Sequence, residues 1–566
     1  MHNLSPELLK EAFIDPIRFA LVLDDEFPNF SQMSRQEPAL HLDHAKASSL
    51  FSFCRSRGWL CDIDNAVVFA EEFERDKHLN QSDLLILDFH LEADKPNNPR
   101  KALGVLQSLA SSNHFNLVIV YTAANPMDVA RDIAFSLGGG CLLSEDDRKG
   151  AVDFLEELDD QELRELRDLC NVDIVNNFLQ SKKPNGSSAI LRKALEVKGV
   201  RGAAANNIIN CFCEEHLLEV VPQDVHSSRS VGSKVEVSFS PDSPMWVAKG
   251  NLFTVVVNKQ EPVNVLVDRL QEGLSSWNPS PLRVLMVHAR AALEKVGTSA
   301  DIKVLDTPRR QAGWLLRILS AESVEDRKRH TQDLYGRLFE RLIKHVDISA
   351  FEFGARLFPQ SDRAPVDIAL EMATATGIAK EWIYHALNEH LCSDSFTDGA
   401  ITTGVVFKAV KNGLTNYWLC ATPACDLVPG QNTSGWDGEL APFRPVTAVR
   451  LTLVTTSMRK RLELATQGRY IFVFQDETPL VLQVTDEDTR KMKLETLFLR
   501  DGGVIESSKF SGLCIGKGED NFPSMIEMNF ESIALLRSDY ANKFLAESGY
   551  QRARIGVDFV DYPKEN

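Results

Sequence analysis

The stretch that most constrains this chain is Ser82–Leu91, SDLLILDFHL, an apolar run that pushes one carboxylate, Asp88, out of its carboxyl tip. A run of this length and composition reads as a strand buried on both faces. Two others resemble it: Ile17–Asp25 (IRFALVLDD) ends in the adjacent carboxylates Asp24 and Asp25, and Asn116–Thr122 (NLVIVYT) ends in a hydroxyl. Three such strands, each closing on a polar side chain, predict a shared site at the carboxyl edge of a parallel sheet.

The segments between them have helical spacing. A helix is expected at about 44–57, closed by Gly58, then a short strand Trp59–Ile63, and helices at about 66–77, 101–112 and 127–137. Strand and helix in alternation mean βαβ units and a doubly wound α/β layer. A long connection, 26–44, interrupted by Pro28 and Pro38, follows the first strand.

The strings LVLDDE (Leu21–Glu26), LLILDFHL (Leu84–Leu91) and VIVYTA (Val118–Ala123) together resemble the receiver domain of bacterial response regulators in order and spacing. The resemblance implies that Asp88 is the phosphoacceptor, Thr122 the switch hydroxyl, and Asp24, Asp25 and Asp88 the ligands of Mg²⁺. The residue chemistry agrees. Mg²⁺ takes hard oxygen ligands, a carboxylate can attack a phosphorus centre only once the phosphoryl charge is neutralised, and crowded carboxylates without a cation are costly.

Receivers also carry a lysine at the end of the fifth strand, and here the sequence offers two positions. Spacing from Thr122 puts that strand at about Gly139–Ser144, ending in Ser144–Glu145 with no lysine. Asn177–Pro184 (NFLQSKKP), followed by a helix at 188–198, resembles the strand–Lys–Pro–helix ending and favours Lys183 over Lys182, given an inserted acidic segment at about 145–175.

With 566 residues the chain has room for several domains. The expected division is a receiver-like α/β domain at 1–200, a mixed connector at 201–262, a helical domain at 263–396 and a β-rich domain at 397–566. The connector holds a helix at 205–220 and strands Val231–Phe239 and Trp246–Asn258 about a Gly250–Asn251 turn. It either packs on the receiver or opens the next domain. The β-rich part reads as a barrel or sandwich with strands at 401–410, 415–422, 445–456, 469–475, 479–485 and 510–515, then a helix at 529–547 and a strand at 553–560.

A net charge of −18 disfavours non-specific binding to nucleic acid or anionic membrane. No apolar run reaches the ~20 residues of a membrane span, and MHNLSPELLKEAF lacks signal-peptide character, so a cytoplasmic protein with reduced thiols is expected. Neither P-loop, HExxH nor GxSxG occurs. Cys425 lies beside Asp426 with no basic neighbour in sequence, so it reads as a structural turn residue rather than a nucleophile.

The whole arrangement resembles the large receiver-containing proteins of bacterial anti-phage two-component systems, on RARIGVDFV (Arg552–Val560) and CATPACDLVPG (Cys420–Gly430) beside the strand tips. That resemblance implies a sensor histidine kinase as partner, a separate receiver-bearing effector, and a phosphate-absorbing role without an effector enzyme in the chain. The alternatives are a receiver-gated effector whose C-terminal half carries its own activity, and a scaffold with a degenerate receiver.

Overall fold

The computed structural model describes residues 4–29, 42–64, 79, 82–92, 98–140, 143–180, 186–221, 234–296, 307–321, 324–358, 361–375, 377–411, 413–428, 437–455, 457–475, 478–487, 489–517 and 522–553. The chain divides into two compact units, Met1–Arg363 and Ala364–Asn566.

The first unit is built on a seven-stranded sheet. Its strands are β1 (Phe19–Leu23), β2 (Leu60–Asp64), β3 (Leu84–Leu87), β4 (Asn116–Thr122), β5 (Glu236–Ser238), β6 (Met245–Lys249) and β7 (Leu252–Asn258). They lie in the order β2-β1-β3-β4-β7-β6-β5, the first five parallel and the last two antiparallel. This is the doubly wound architecture expected from the strand runs. Every residue of β3 and of β4 is buried because helices cover both faces.

The period of two sorts the strand residues between two cores. Leu21, Leu23, Leu85, Leu87, Val118 and Val120 face the helices Arg100–Ala110 and Pro126–Ser136. Ala20, Val22, Leu84, Ile86, Leu117 and Ile119 face His44–Ser56 and Leu266–Trp277. Gly273 lets the latter helix lie close on β7, because a Cβ there would come within 3.2 Å of Val255 and 3.4 Å of Phe253. Phe253 stacks on Trp277 with ring centroids 4.9 Å apart. The helix expected at 66–77 lies outside the described residues apart from neighbouring Leu79, which is buried.

The fifth parallel strand is neither of the two segments favoured by local spacing. Ser144 caps a helix, Glu145–Glu156, by accepting from the Asp147 N–H at 3.0 Å. The segment before the Lys182–Lys183 pair is also helical, Val172–Leu179, capped by Asn171, with Ile174, Val175, Phe178 and Leu179 buried. Those buried positions recur at helical spacing, which a strand would split between two faces. Lys183 itself lies outside the described residues.

Position five belongs to β7, paired with β4 through Thr122↔Asn258. Between Pro126–Ser136 and β7 the chain inserts the helices Glu145–Glu156, Asp160–Asp168, Val172–Leu179, Ala189–Val197 and Gly202–Leu218, and then the β5–β6 hairpin. Their apolar residues join the core formed with Arg100–Ala110 and Pro126–Ser136, so the segments at 205–221 and 235–247 pack on this α/β layer. Beyond β7 the unit is helical: Leu266–Trp277, Pro281–Val296, Pro308–Leu319 and Val324–Leu357.

The second unit opens with helices Pro365–Met372 and Lys380–Cys392 and continues into a closed six-stranded β-barrel with extra strands. Around the barrel run Leu414–Cys420, Val405–Lys411, Pro523–Leu536, Lys509–Lys517, Lys493–Arg500 and Phe443–Leu453, the last pairing back to the first. A hairpin of Tyr470–Gln475 and Thr478–Gln483 extends from Phe443–Leu453. Phe407, Trp418, Phe510 and Phe530 fill the interior.

The helix expected from Asn529 begins only at Ser538. Through residue 536 the burial alternates strictly, Phe530, Ser532, Ala534 and Leu536 being buried between more exposed neighbours. The strand expected at 553–560 lies outside the described residues save for Ala553.

Candidate functional site

All four central parallel strands deliver a polar residue at their carboxyl ends. β1 gives way to Asp24 and Asp25, β3 to Asp88, β4 ends in Thr122, and β7 gives way to Lys259. The register brings them together: Leu23 pairs with Leu87, the Asp88 N–H donates to Leu23 O at 2.8 Å, and the Lys259 N–H donates to Thr122 O at 2.7 Å.

The centre of the site is an ion-pair bridge. Lys259 Nζ lies 2.8 Å from Asp24 Oδ2 and 2.9 Å from Asp88 Oδ2, all three side chains being buried. Glu26, largely exposed, stands 3.7 Å from the same ammonium, and the Phe27 ring lies beneath it at 5.6 Å. The second oxygens are held by backbone: Glu26 N–H donates to Asp24 Oδ1 at 3.0 Å and Phe89 N–H to Asp88 Oδ1 at 2.8 Å. Thr122, fully buried, accepts from the Ala124 N–H at 3.1 Å. Asn258 Nδ2 donates to Ala124 O at 3.2 Å, and Tyr121 donates its hydroxyl to Glu261 O at 2.8 Å, tying the β4 and β7 loops together.

Burial sets the electrostatics. It pushes the Asp24 carboxyl up to about 6, with Asp88 adding repulsion and Lys259 opposing. Asp25 is raised by burial and by Asp24, and Asp88 by burial against the pull of Lys259. Burial works against the Lys259 ammonium, but Asp24 and Asp88 together outweigh it and hold the lysine above its ordinary range.

Three carboxylates and one ammonium leave the cluster with excess negative charge. Asp24, Asp25 and Asp88 can each offer an oxygen with all three within 4.8 Å of one another, and among the described residues they form the group fit to hold a metal ion. An all-oxygen, carboxylate-rich donor set suits a hard divalent cation such as Mg²⁺.

The expected residues Asp24, Asp25, Asp88 and Thr122 therefore gather at one sheet edge, with Lys259 as the basic member in place of the expected Lys183. The signal for Lys259 was present in sequence: the run LFTVVVN (Leu252–Asn258) ends on a lysine, with Pro262 and a helix following, as the other strand tips end on their functional groups. The intervening residues after Thr122 hid it. Cys425, exposed, lies in the second unit with its thiol 3.3 Å from Asp426 Oδ1.

Residues 16–169 match the family model of the response receiver domain, which supports a receiver domain in this chain and, at that level, a phosphoacceptor response-regulator role in two-component signalling. The match stops short of β7. Neither the curated proteins nor the solved structures contain a match to the chain. No helix among the described residues is long and apolar enough to cross a membrane.

Proposed function

We propose that Asp88 accepts a phosphoryl group from the phosphohistidine of a sensor histidine kinase, and that residues beyond the receiver layer hold that kinase or read the state of the site. The observation that carries this reading is the Lys259 bridge between Asp24 and Asp88 at the carboxyl edge. It pairs the carboxylate meant for phosphorus with the cation that receives the transferred charge.

In the transfer, an Asp88 oxygen forms the new O–P bond as the P–N bond to the donor imidazole breaks, and the imidazole leaves with the electron pair. Asp24, Asp25 and Asp88 would hold Mg²⁺, which when bound neutralises phosphoryl charge in the transition state. Lys259 leaves its pairing with Asp88 Oδ2 to meet a phosphoryl oxygen while keeping Asp24. Thr122 donates its hydroxyl to the new group, and its backbone link to Lys259 couples the β4 and β7 loops to that event. Burial of Asp24 and Asp88 keeps water from the acyl phosphate and so favours a long-lived phosphorylated state.

A phosphate-absorbing partner to a separate receiver-bearing effector, in an anti-phage setting, is the cellular role suggested by the chain's resemblance to such proteins. The test is labelling of the full chain by a phosphohistidine donor or acetyl phosphate with Mg²⁺. Acid-stable background aside, an acyl-phosphate label is expected in the wild type and absent in Asp88→Ala. Equal labelling of the two overturns the assignment.

A further inference from the structure

Two thiols meet in the inserted layer. Cys170 lies in the short link between the helices Asp160–Asp168 and Val172–Leu179, and Cys213 lies inside Gly202–Leu218. Their sulfurs stand 3.8 Å apart although 43 positions separate them in the chain, and either thiol can donate to the other. Both are free; Cys213 is fully buried and Cys170 partly exposed.

The two elements are held in this register close to the thiols. Arg167, at the end of the first helix, pairs with Glu215 at 2.8 Å. The Cys170 N–H donates to Arg167 O at 2.9 Å, and Asn171 caps the next helix by accepting from the Ile174 N–H at 3.1 Å. Joining the sulfurs would shorten their separation from 3.8 Å to the ~2.05 Å of a disulfide, a closure of under ~2 Å. A buried cysteine can serve as a small apolar filler, and that accounts for Cys213. It does not account for a second sulfur set against it from a partly exposed link. The hydrogen bond from Cys213 draws the Cys170 thiol below its usual range, against burial. Neighbouring Cys211 is the contrast, since burial and Glu214 push its thiol up to about 11.

We propose that Cys170 and Cys213 are a peroxide-responsive pair that closes into a disulfide across the inserted layer. The Cys170 thiolate attacks one oxygen of hydrogen peroxide. An S–O bond forms, the O–O bond breaks, and hydroxide leaves with the electron pair and takes up a proton. The Cys213 thiol then gives up its proton and attacks the Cys170 sulfur. The S–S bond forms as the S–O bond breaks, and a second water leaves, so that two thiols are oxidised and one peroxide is reduced to two waters. The bond fixes the junction before Val172–Leu179 onto Gly202–Leu218, and Val172–Leu179 in turn contacts Pro126–Ser136.

The test is peroxide treatment of the reduced full chain, then alkylation under denaturing conditions and mass spectrometry of the digest. At a few-fold excess of peroxide the wild type is expected to lose two of its ten alkylatable thiols and to yield a cross-linked peptide pair carrying Cys170 and Cys213. The melt of the first unit should rise by roughly 5 °C, and dithiothreitol should reverse both changes. Cys211→Ser behaves as wild type. Cys170→Ser gives neither the cross-link nor the rise, and because it lies in the link it decides the matter even where Cys213→Ser fails to fold. In a folded Cys213→Ser the reaction stops at the Cys170 sulfenic acid, which dimedone traps. A wild type that keeps all ten thiols overturns the proposal. So does a bond formed instead between chains or at Cys54 and Cys61, another thiol contact of the first unit, or a Cys170→Ser protein that still gains the rise.

Discussion

Replacing Lys259 by methionine removes the ammonium while keeping most of its volume. In the wild type that ammonium lies 2.8 Å and 2.9 Å from two buried carboxylates. At an effective dielectric of about 20 each contact is worth roughly 6 kcal/mol before desolvation. Burial of all three groups cancels much of this, and breaking such a buried arrangement costs about 3–5 kcal/mol. The loss depends on pH. Asp24 already sits at about 6, and Asp88 is raised as well; both are expected to rise further without the lysine. A carboxyl raised in the folded state binds a proton that the unfolded chain releases. Its destabilisation therefore sets in above the unfolded value and grows until the folded value is passed. The variant's deficit should widen by up to ~1.4 kcal/mol per pH unit as pH rises from 6. The lysine's own contribution is complete below its unfolded pKa and is lost only at strongly alkaline pH, so it adds no slope here. Urea unfolding of the unit-1 transition in chelator, at pH 6 and pH 8, should show a deficit of about 3–5 kcal/mol at pH 8 and one smaller by about 1–2 kcal/mol at pH 6. Lys182→Met/Lys183→Met should stay within about 0.5 kcal/mol of wild type. A Lys259→Met deficit under ~1 kcal/mol at pH 8, or one equal at both pH values, refutes the bridge as the organising contact.

Added Mg²⁺ should stabilise the wild type by about 2.7 kcal/mol at a hundred times its dissociation constant and leave Asp88→Asn/Asp25→Asn unmoved, read by thermal melting; equal shifts refute the carboxylate site. Burial pushes the Asp132 carboxyl up to about 7, Arg131 opposing and Asp128 adding to the rise. By the same sign rule, Asp132→Asn should match wild type near pH 4 and exceed it by on the order of 4 kcal/mol at pH 8, checked by denaturant titration at both; a gap that does not grow with pH refutes it. In the barrel, a Cβ at Gly512 would come within 2.5 Å of Phe498 O and 3.0 Å of Leu499 Cα on the neighbouring strand. Gly512→Val should therefore cost on the order of 3 kcal/mol in the unit-2 melt, and an unchanged melt would show that the strands separate freely there.

The receiver layer was legible because its strands are buried on both faces, so LVLDD, LLILD and VIVYT stand out as apolar runs whatever surrounds them. Their tips could be read for the same reason, since a carboxylate at the end of such a run has few structural uses. Local spacing misplaces the fifth strand because its position is set by a long-range pairing. VDIVNNFLQSKKP contains the right letters in the right order. Yet its apolar residues recur at helical intervals behind the Asn171 cap, and the structure follows that period. NLFTVVVNK was recognisable as a strand, but only the pairing Thr122↔Asn258 assigns it to this sheet. In the second unit, Asn529–Leu536 reads as a helix by composition. Its strict alternation of burial, set by pairing on both sides with Lys509–Lys517 and Val405–Lys411, makes it a strand.

That the site survives so long an insertion follows from where the insertion enters. It leaves the sheet after Pro126–Ser136, on the helix layer rather than at the carboxyl edge, and it returns through the β6–β7 hairpin from the opposite edge. Closing a long loop costs little more than closing a short one, because the entropy grows only with the logarithm of length. The insertion also brings its own return. Leu155, Leu166, Phe178, Leu191 and Phe212 extend the apolar core beneath Pro126–Ser136, and β5–β6 covers the β7 edge that would otherwise stand open. β7 is thus flanked by β4 on one side and β6 on the other, and its carboxyl end, with Lys259, is held by β4 through the Thr122↔Asn258 pairing. On β6, Lys249 Nζ donates to Leu137 O at 2.6 Å, which ties the hairpin to the end of Pro126–Ser136, the helix from which the insertion departs. A displacement of β7 on phosphorylation of Asp88 is expected to reach the inserted helices by way of that tie. A Lys249→Met substitution, distant from the carboxyl edge, should leave phosphorylation of Asp88 intact while altering amide exchange in the inserted helices upon phosphorylation. Unaltered exchange there in both wild type and variant would mean that the signal leaves the site by another route.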